Sequence, residues 1–134
     1  MTDITEGQAA PAFDLAVDGD GRVTLAGLKG RSVVLYFYPK ADTPGCTTEG
    51  LDFSALADQF AAANAVVIGV SRDAVKKLDR FKAKHDLKII LGSDDDGVVC
   101  EAYGTWIMKK LYGREYMGVE RATFLIDGAG VVRR

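Results

Sequence analysis

The chain has 134 residues, 48% of them apolar and 27% charged, with a formal net charge of −2 at pH 7. These values fit one globular domain spanning 1–134, and the slight acidity argues against nucleic acid or an anionic membrane as the main partner. No apolar stretch approaches the roughly 20 residues of a membrane span, and the polar, acidic opening residues lack the features of a secretory signal or transit peptide. The expected compartment is the cytoplasm.

In chain order, Pro11 to Val17 alternates apolar and polar at first and leads into Asp18-Gly19-Asp20-Gly21 and then Arg22 to Leu25. Asp and Gly at those places supply the positive φ angles of a tight hairpin. No Glu follows at the spacing of a calcium-binding loop, so the hairpin reading prevails. Three short apolar runs come next, Val33–Tyr38, Ala65–Val70 and Lys88–Leu91. Runs that are apolar on both faces suit strands covered by helices on both sides.

Helical patterns separate these strands. Leu51, Phe53, Leu56, Ala57 and Phe60 fall near i, i+3, i+4 spacing, which predicts one helix with a buried face. Asp73 is placed to cap a second helix carrying Val75, Leu78 and Phe81. Ser93-Asp94-Asp95-Asp96 precedes a short helix with Val98, Val99, Ala102 and Tyr103. Three adjacent aspartates could suggest a metal, but negative charge at a helix start is the simpler account. Residues 105–120 read as a loop containing glycine and aromatics, in which Trp106 and Tyr112 are packing residues. Ala122 to Asp127 reads as a strand, turning through Gly128-Ala129-Gly130 into Val131-Val132. The order βββαβαβαββ predicts an α/β sandwich with a mixed sheet.

The segment richest in chemistry lies between the first apolar run and the first helix. Pro39-Lys40-Ala41-Asp42-Thr43-Pro44-Gly45-Cys46 ends a buried strand, turns the chain and lands a thiol at a helix N-terminus. Unpaired N–H groups and the positive end of the helix dipole favour an anion there, so Cys46 is expected to be a nucleophilic thiolate near neutral pH. Cys100 lies 54 positions on. The two cysteines form no CxxC, and with only His85 they make no zinc set. His85, among Lys82, Lys84 and Asp86, reads as a surface histidine.

Pro39-x-x-x-Thr43-x-x-Cys46 resembles the active-site signature of the peroxiredoxins, and most closely their bacterioferritin-comigratory, or Q-type, branch. Tyr38-Pro39-Lys40 and Thr43-Pro44-Gly45-Cys46-Thr47-x-Glu49 are typical of that branch. Further landmarks agree in order: Ala10-Pro11-Ala12-Phe13, Val70-Ser71-Arg72-Asp73, Ser93-Asp94, Tyr103-Gly104-Thr105-Trp106 and Arg121 through Asp127. The resemblance implies a thioredoxin-like, three-layer α/β sandwich and a thiol-dependent peroxidase acting on hydrogen peroxide and small organic hydroperoxides. It makes Cys46 the peroxidatic nucleophile, which becomes a sulfenic acid. Thr43 would position peroxide, Pro39 would shield the pocket from water, and Arg121 would stabilise the thiolate and the charge developing on peroxide. Glu49 reads as a residue that compensates the helix dipole. No cofactor or metal is implied, and a monomer is expected.

The sequence also departs from the branch. Many members carry a resolving cysteine five residues after the first, or in the next helix; here those positions are Leu51 and Lys82. Cys100 sits in an apolar run and reads as a packed thiol. A one-cysteine cycle is therefore expected, completed by an external thiol: thioredoxin, glutaredoxin or a low-molecular-weight thiol. A resolving role for Cys100 stays open, as does a non-enzymatic redox sensor; a thioredoxin-like oxidoreductase would need the CxxC this chain lacks. Related chains usually continue past Arg134 into a further segment and a terminal helix; either the chain is shortened, which would leave apolar sheet surface open, or a tail follows beyond this sequence.

Overall fold

In the computed structural model the described residues are 6–133; the acidic residues 1–5 and Arg134 lie outside them. Strands β1 (Asp14–Val17) and β2 (Gly21–Thr24) form the predicted hairpin, with Gly19 at φ 73° in its turn. The three apolar runs become β3 (Ser32–Phe37), β4 (Ala65–Ser71) and β5 (Ile90–Ser93), which pair in parallel. Strand β8 (Ala122–Ile126) adds antiparallel to β3, and β1 adds antiparallel to β5. The resulting mixed sheet has the order β2-β1-β5-β4-β3-β8.

Alternation along β3 explains why a continuous apolar run is needed. Val33, Leu35 and Phe37 join one core with Ile68, Val99, Cys100 and Tyr103. Val34, Tyr36 and Tyr38 join the other with Cys46, Leu78, Phe81 and Leu87. Helices α1 (Pro44–Ala55), α2 (Ala57–Ala62) and α3 (Val75–His85) supply the second core, while α4 (Val98–Ala102) supplies the first. Both faces are covered, as parallel strands require.

Four local expectations are corrected. The single helix read from Leu51 to Phe60 is two, because Leu56 leaves helical geometry at φ −101°, ψ 5°. Leu51 and Leu56 are exposed, and the buried residues of α1 are Cys46 and Gly50. Asp73 does not cap α3, whose N-cap is Ala74 without a side-chain bond; its carboxylate is taken by Ser71 and the loop, as described below. Residues 105–120 are not a loop but a hairpin, β6 (Trp106–Leu111) and β7 (Arg114–Val119), turned by Tyr112 and Gly113 at positive φ. Tyr112 is 95% exposed and packs nothing, whereas Trp106 packs against the first core and under the Arg72 guanidinium. After Ile126 the chain makes isolated bridges, Val131 with Ala9 and Val132 with Ile126.

The triple aspartate has a structural use. Asp94 is buried, and its two carboxylate oxygens accept the N–H groups of Val99 (3.1 Å) and Cys100 (2.7 Å). Orphan donors at the start of α4 are satisfied in this way. Among the described residues, no helix is long and apolar enough to cross a membrane.

Candidate active site

Helix α1 begins where the proline-bounded loop ends. Thr43 is its N-cap, in extended geometry, and Pro44 occupies the first helical position, where a missing N–H costs nothing. Cys46 therefore lies in the first turn, where N–H groups lack helical partners. The Thr43 hydroxyl does not close back on the helix but donates to the Lys40 carbonyl at 2.8 Å. That bond folds the loop into a turn and leaves hydroxyl lone pairs unused by the helix.

Arg121, just before β8, brings its guanidinium to this turn from 75 residues away. Nη2 donates to Cys46 Sγ at 3.3 Å, and Nη1 donates to Glu49 Oε1 at 2.8 Å. The fork of one guanidinium thus spans two groups one helical turn apart. Gly45 permits this approach, since a Cβ there would stand 3.3 Å from Nη2. Cys46 is only 2% exposed. Burial pushes the Glu49 carboxyl up from its ordinary value, against the pull of Arg121. Burial likewise opposes the Arg121 charge, but Cys46 and Glu49 outweigh it and hold the guanidinium more firmly protonated than usual. The unit is one cation between a thiol and a carboxylate.

The loop is strapped along α3 by contacts that sequence reasoning missed. Asp73 Oδ2 accepts the Ala41 N–H at 2.7 Å and the Ser71 hydroxyl at 2.8 Å. At the other end of α3, Lys84 Nζ reaches Asp42 Oδ2 at 3.0 Å and His85 Nε2 pairs with Asp42 Oδ1 at 3.0 Å. His85 is accordingly not a free surface residue: its side chain is 23% exposed and its ring stands edge-on to Phe81. Asp42 adopts φ 62°, a left-handed conformation that a non-glycine residue keeps only when its surroundings hold it. The sequence offered one sign of this, an aspartate of the loop type that tolerates such angles.

A pH dependence follows. The His85 and Lys84 bonds hold the Asp42 carboxyl below its ordinary value. A depressed folded-state pKa contributes stability that is fully present above the ordinary aspartate value and lost as pH falls through the lower one. Asp42→Asn should therefore lower the urea midpoint at neutral pH, with the gap to wild type closing in acid. A gap independent of pH would rule out this account.

Pro39 does not join the group. It is exposed and lines a separate cavity with Arg72 and Trp106, while Cys46 is buried in a cluster that includes Tyr38 and Ala41. Cys100 is fully buried in the core on the opposite face of the sheet from Cys46. Burial, then the adjacent Asp94, pushes its thiol up to about 12. Leu51 is exposed, and Lys82 is tied to Asp18 at 2.7 Å.

The chain resembles known proteins along nearly its whole length. The AhpC/TSA family matches residues 6–134. Peroxiredoxin Bcp of Bacillus subtilis is 50% identical over 124 residues, covering 92% of this chain and 79% of that one. The bacterioferritin comigratory protein of Xanthomonas campestris, whose structures address alkyl peroxide reduction, superposes with a TM-score of 0.90 at 42% identity, covering 97% of this chain and 85% of that one. A PrxQ mutant from Xylella fastidiosa gives a TM-score of 0.94 at 38% identity, covering 100% and 86%. The chain belongs to the AhpC/TSA family, and its architecture is the thioredoxin-like fold of the peroxiredoxins.

Proposed function

We propose that the chain is a thiol-dependent peroxidase in which Cys46 attacks hydrogen peroxide or a small organic hydroperoxide. The observation that carries the reading is the 3.3 Å contact between Arg121 Nη2 and Cys46 Sγ, made across 75 residues. In the reaction the Cys46 thiolate sulfur bonds to the terminal peroxide oxygen as the O–O bond breaks. Hydroxide or alkoxide leaves and takes a proton, and Cys46 becomes a sulfenic acid. Arg121 faces the place where negative charge moves from sulfur to the leaving oxygen, and a donor fixed there beforehand lowers the barrier. Thr43, whose hydroxyl proton is committed to Lys40, keeps lone pairs able to accept the peroxide O–H.

An external thiol then reduces the sulfenic acid, thioredoxin, glutaredoxin or a small thiol being the candidate classes. The opposite-face placement of Cys46 and Cys100 supports this one-cysteine cycle, since a disulfide needs Cα atoms within about 7 Å. Two free thiols suit a reducing compartment, and the cytoplasm is the one we propose.

The test is rapid-mixing peroxide consumption by wild type and Cys46→Ser with several thiol donors, paired with mass spectrometry after one equivalent of peroxide. Peroxide consumption should vanish in Cys46→Ser, and wild type should carry a sulfenic acid on Cys46. A Cys46–Cys100 disulfide would make Cys100 the resolving thiol instead. Oxidation of Cys46 without turnover by any donor would favour a redox sensor.

A further inference from the structure

Beside the Cys46–Arg121 pair the surface opens into a cavity of about 460 Å³. Phe53 and Leu56 form its apolar wall, and Leu56 is exposed to it as a large unpacked side chain. The polar wall is formed by Glu49, Asp52, Thr48 and Arg121. These charges are not equivalent. Glu49 is neutralised by Arg121, and the remaining valence of that guanidinium is directed at the Cys46 sulfur. Asp52 has no hydrogen bond or ion pair among the described residues and is exposed at the cavity wall. In this lining Arg121 is the single cation, against the two carboxylates of Glu49 and Asp52.

We propose that Asp52 is a specificity-determining residue that sorts organic hydroperoxides by charge as they enter. The inference rests on Cys46 being the peroxidatic thiol. The apolar wall suits the organic part of a hydroperoxide lying over Phe53 and Leu56, with its peroxide end at Arg121, whose Nη2 adjoins the Cys46 sulfur. A carboxylate on that organic part stands beside Asp52 and is repelled; a neutral group is not. For a separation of about 7 Å at a water-exposed surface, one such charge changes the rate about threefold.

The test compares cumene hydroperoxide with its para-carboxylate, hydrogen peroxide serving as the internal reference for each protein. Reduced protein is mixed with each peroxide, and Cys46 sulfenic acid is trapped with a dimedone-type reagent and counted by mass spectrometry over time. Ratios are taken within each variant, so a general change in Cys46 reactivity cancels. Asp52→Asn should narrow the neutral-to-carboxylate rate ratio about threefold, and Asp52→Lys about tenfold. Both effects should collapse in 1 M salt, where the Debye length is about 3 Å. Normal oxidation by hydrogen peroxide with the ratio unchanged in both variants would overturn the role of Asp52. Failure of hydrogen peroxide to oxidise Cys46 at all would overturn the assignment of Cys46, and the charge selection with it.

Discussion

Replacing Arg121 with Ala is expected to slow oxidation of Cys46 by hydrogen peroxide by about 100- to 1000-fold, the range for loss of one preorganised donor to a developing charge. Alkylation of Cys46 by a neutral reagent such as iodoacetamide should fall far less, because iodide is a large, diffuse anion that leaves without a donated hydrogen bond. The difference between the two losses is the diagnostic quantity. Small and equal effects on both would mean that Arg121 only tunes the thiol, as in a redox sensor. Arg121→Lys should not restore the rate, since one ammonium cannot donate in parallel to Cys46 and Glu49 as the guanidinium fork does. Stopped-flow oxidation and timed alkylation on the same preparations supply both measurements.

The second large effect lies in the sheet beneath the site. Gly69 on β4 stands opposite Tyr36 on β3, and a Cβ there would come within 2.6 Å of Tyr36 Cζ. Tyr36 cannot step aside. It is 1% exposed, stacks on Phe53 of α1 at 4.6 Å and leans on Tyr38. Gly69→Ala is therefore expected to destabilise the fold by about 3 kcal/mol, the upper part of the usual range for overpacking. For a chain of this size that lowers Tm by roughly 10 °C. Combining Gly69→Ala with Tyr36→Val should recover part of the loss by removing the ring it strikes. A loss below about 0.5 kcal/mol for the single variant would show that the ring has room to move after all.

The parts of this molecule legible from sequence are those in which neighbours in the chain decide the outcome. The apolar runs of β3 and β4 declare themselves because each must satisfy two cores at once. The Thr43-Pro44 helix start follows from proline chemistry, and Arg121 from the ordered landmarks around it. What escaped depends on contacts between distant residues. Asp42 and His85 are 43 residues apart, and neither alone suggests the other. Asp73 looked like a helix cap because its competitors for a bond, the Ala41 N–H and the Ser71 hydroxyl, are positioned only by the fold. The β6–β7 hairpin is hidden in the sequence for a different reason. From Arg114 to Tyr116 its side chains are all exposed, so no alternation records which face is inward. The clue there was the Tyr112-Gly113 pair, which suits a tight hairpin turn. The break at Leu56 left no mark, because the apolar spacing of α1 and α2 runs through it unbroken.

The contact between Arg121 and Cys46 also orders events in time. The thiol and its helix start come from a local stretch of chain, but the guanidinium arrives only with the strand that lies antiparallel to β3, almost 90 residues downstream in its register. Pairings of that span close late, because the entropy of the intervening chain opposes them. On the proposed mechanism, a chain emerging from synthesis or refolding from urea thus holds its cysteine before the guanidinium that assists attack on peroxide. Peroxide reactivity is then expected to mature after the thiol is in place, so a half-folded molecule should carry a less reactive cysteine.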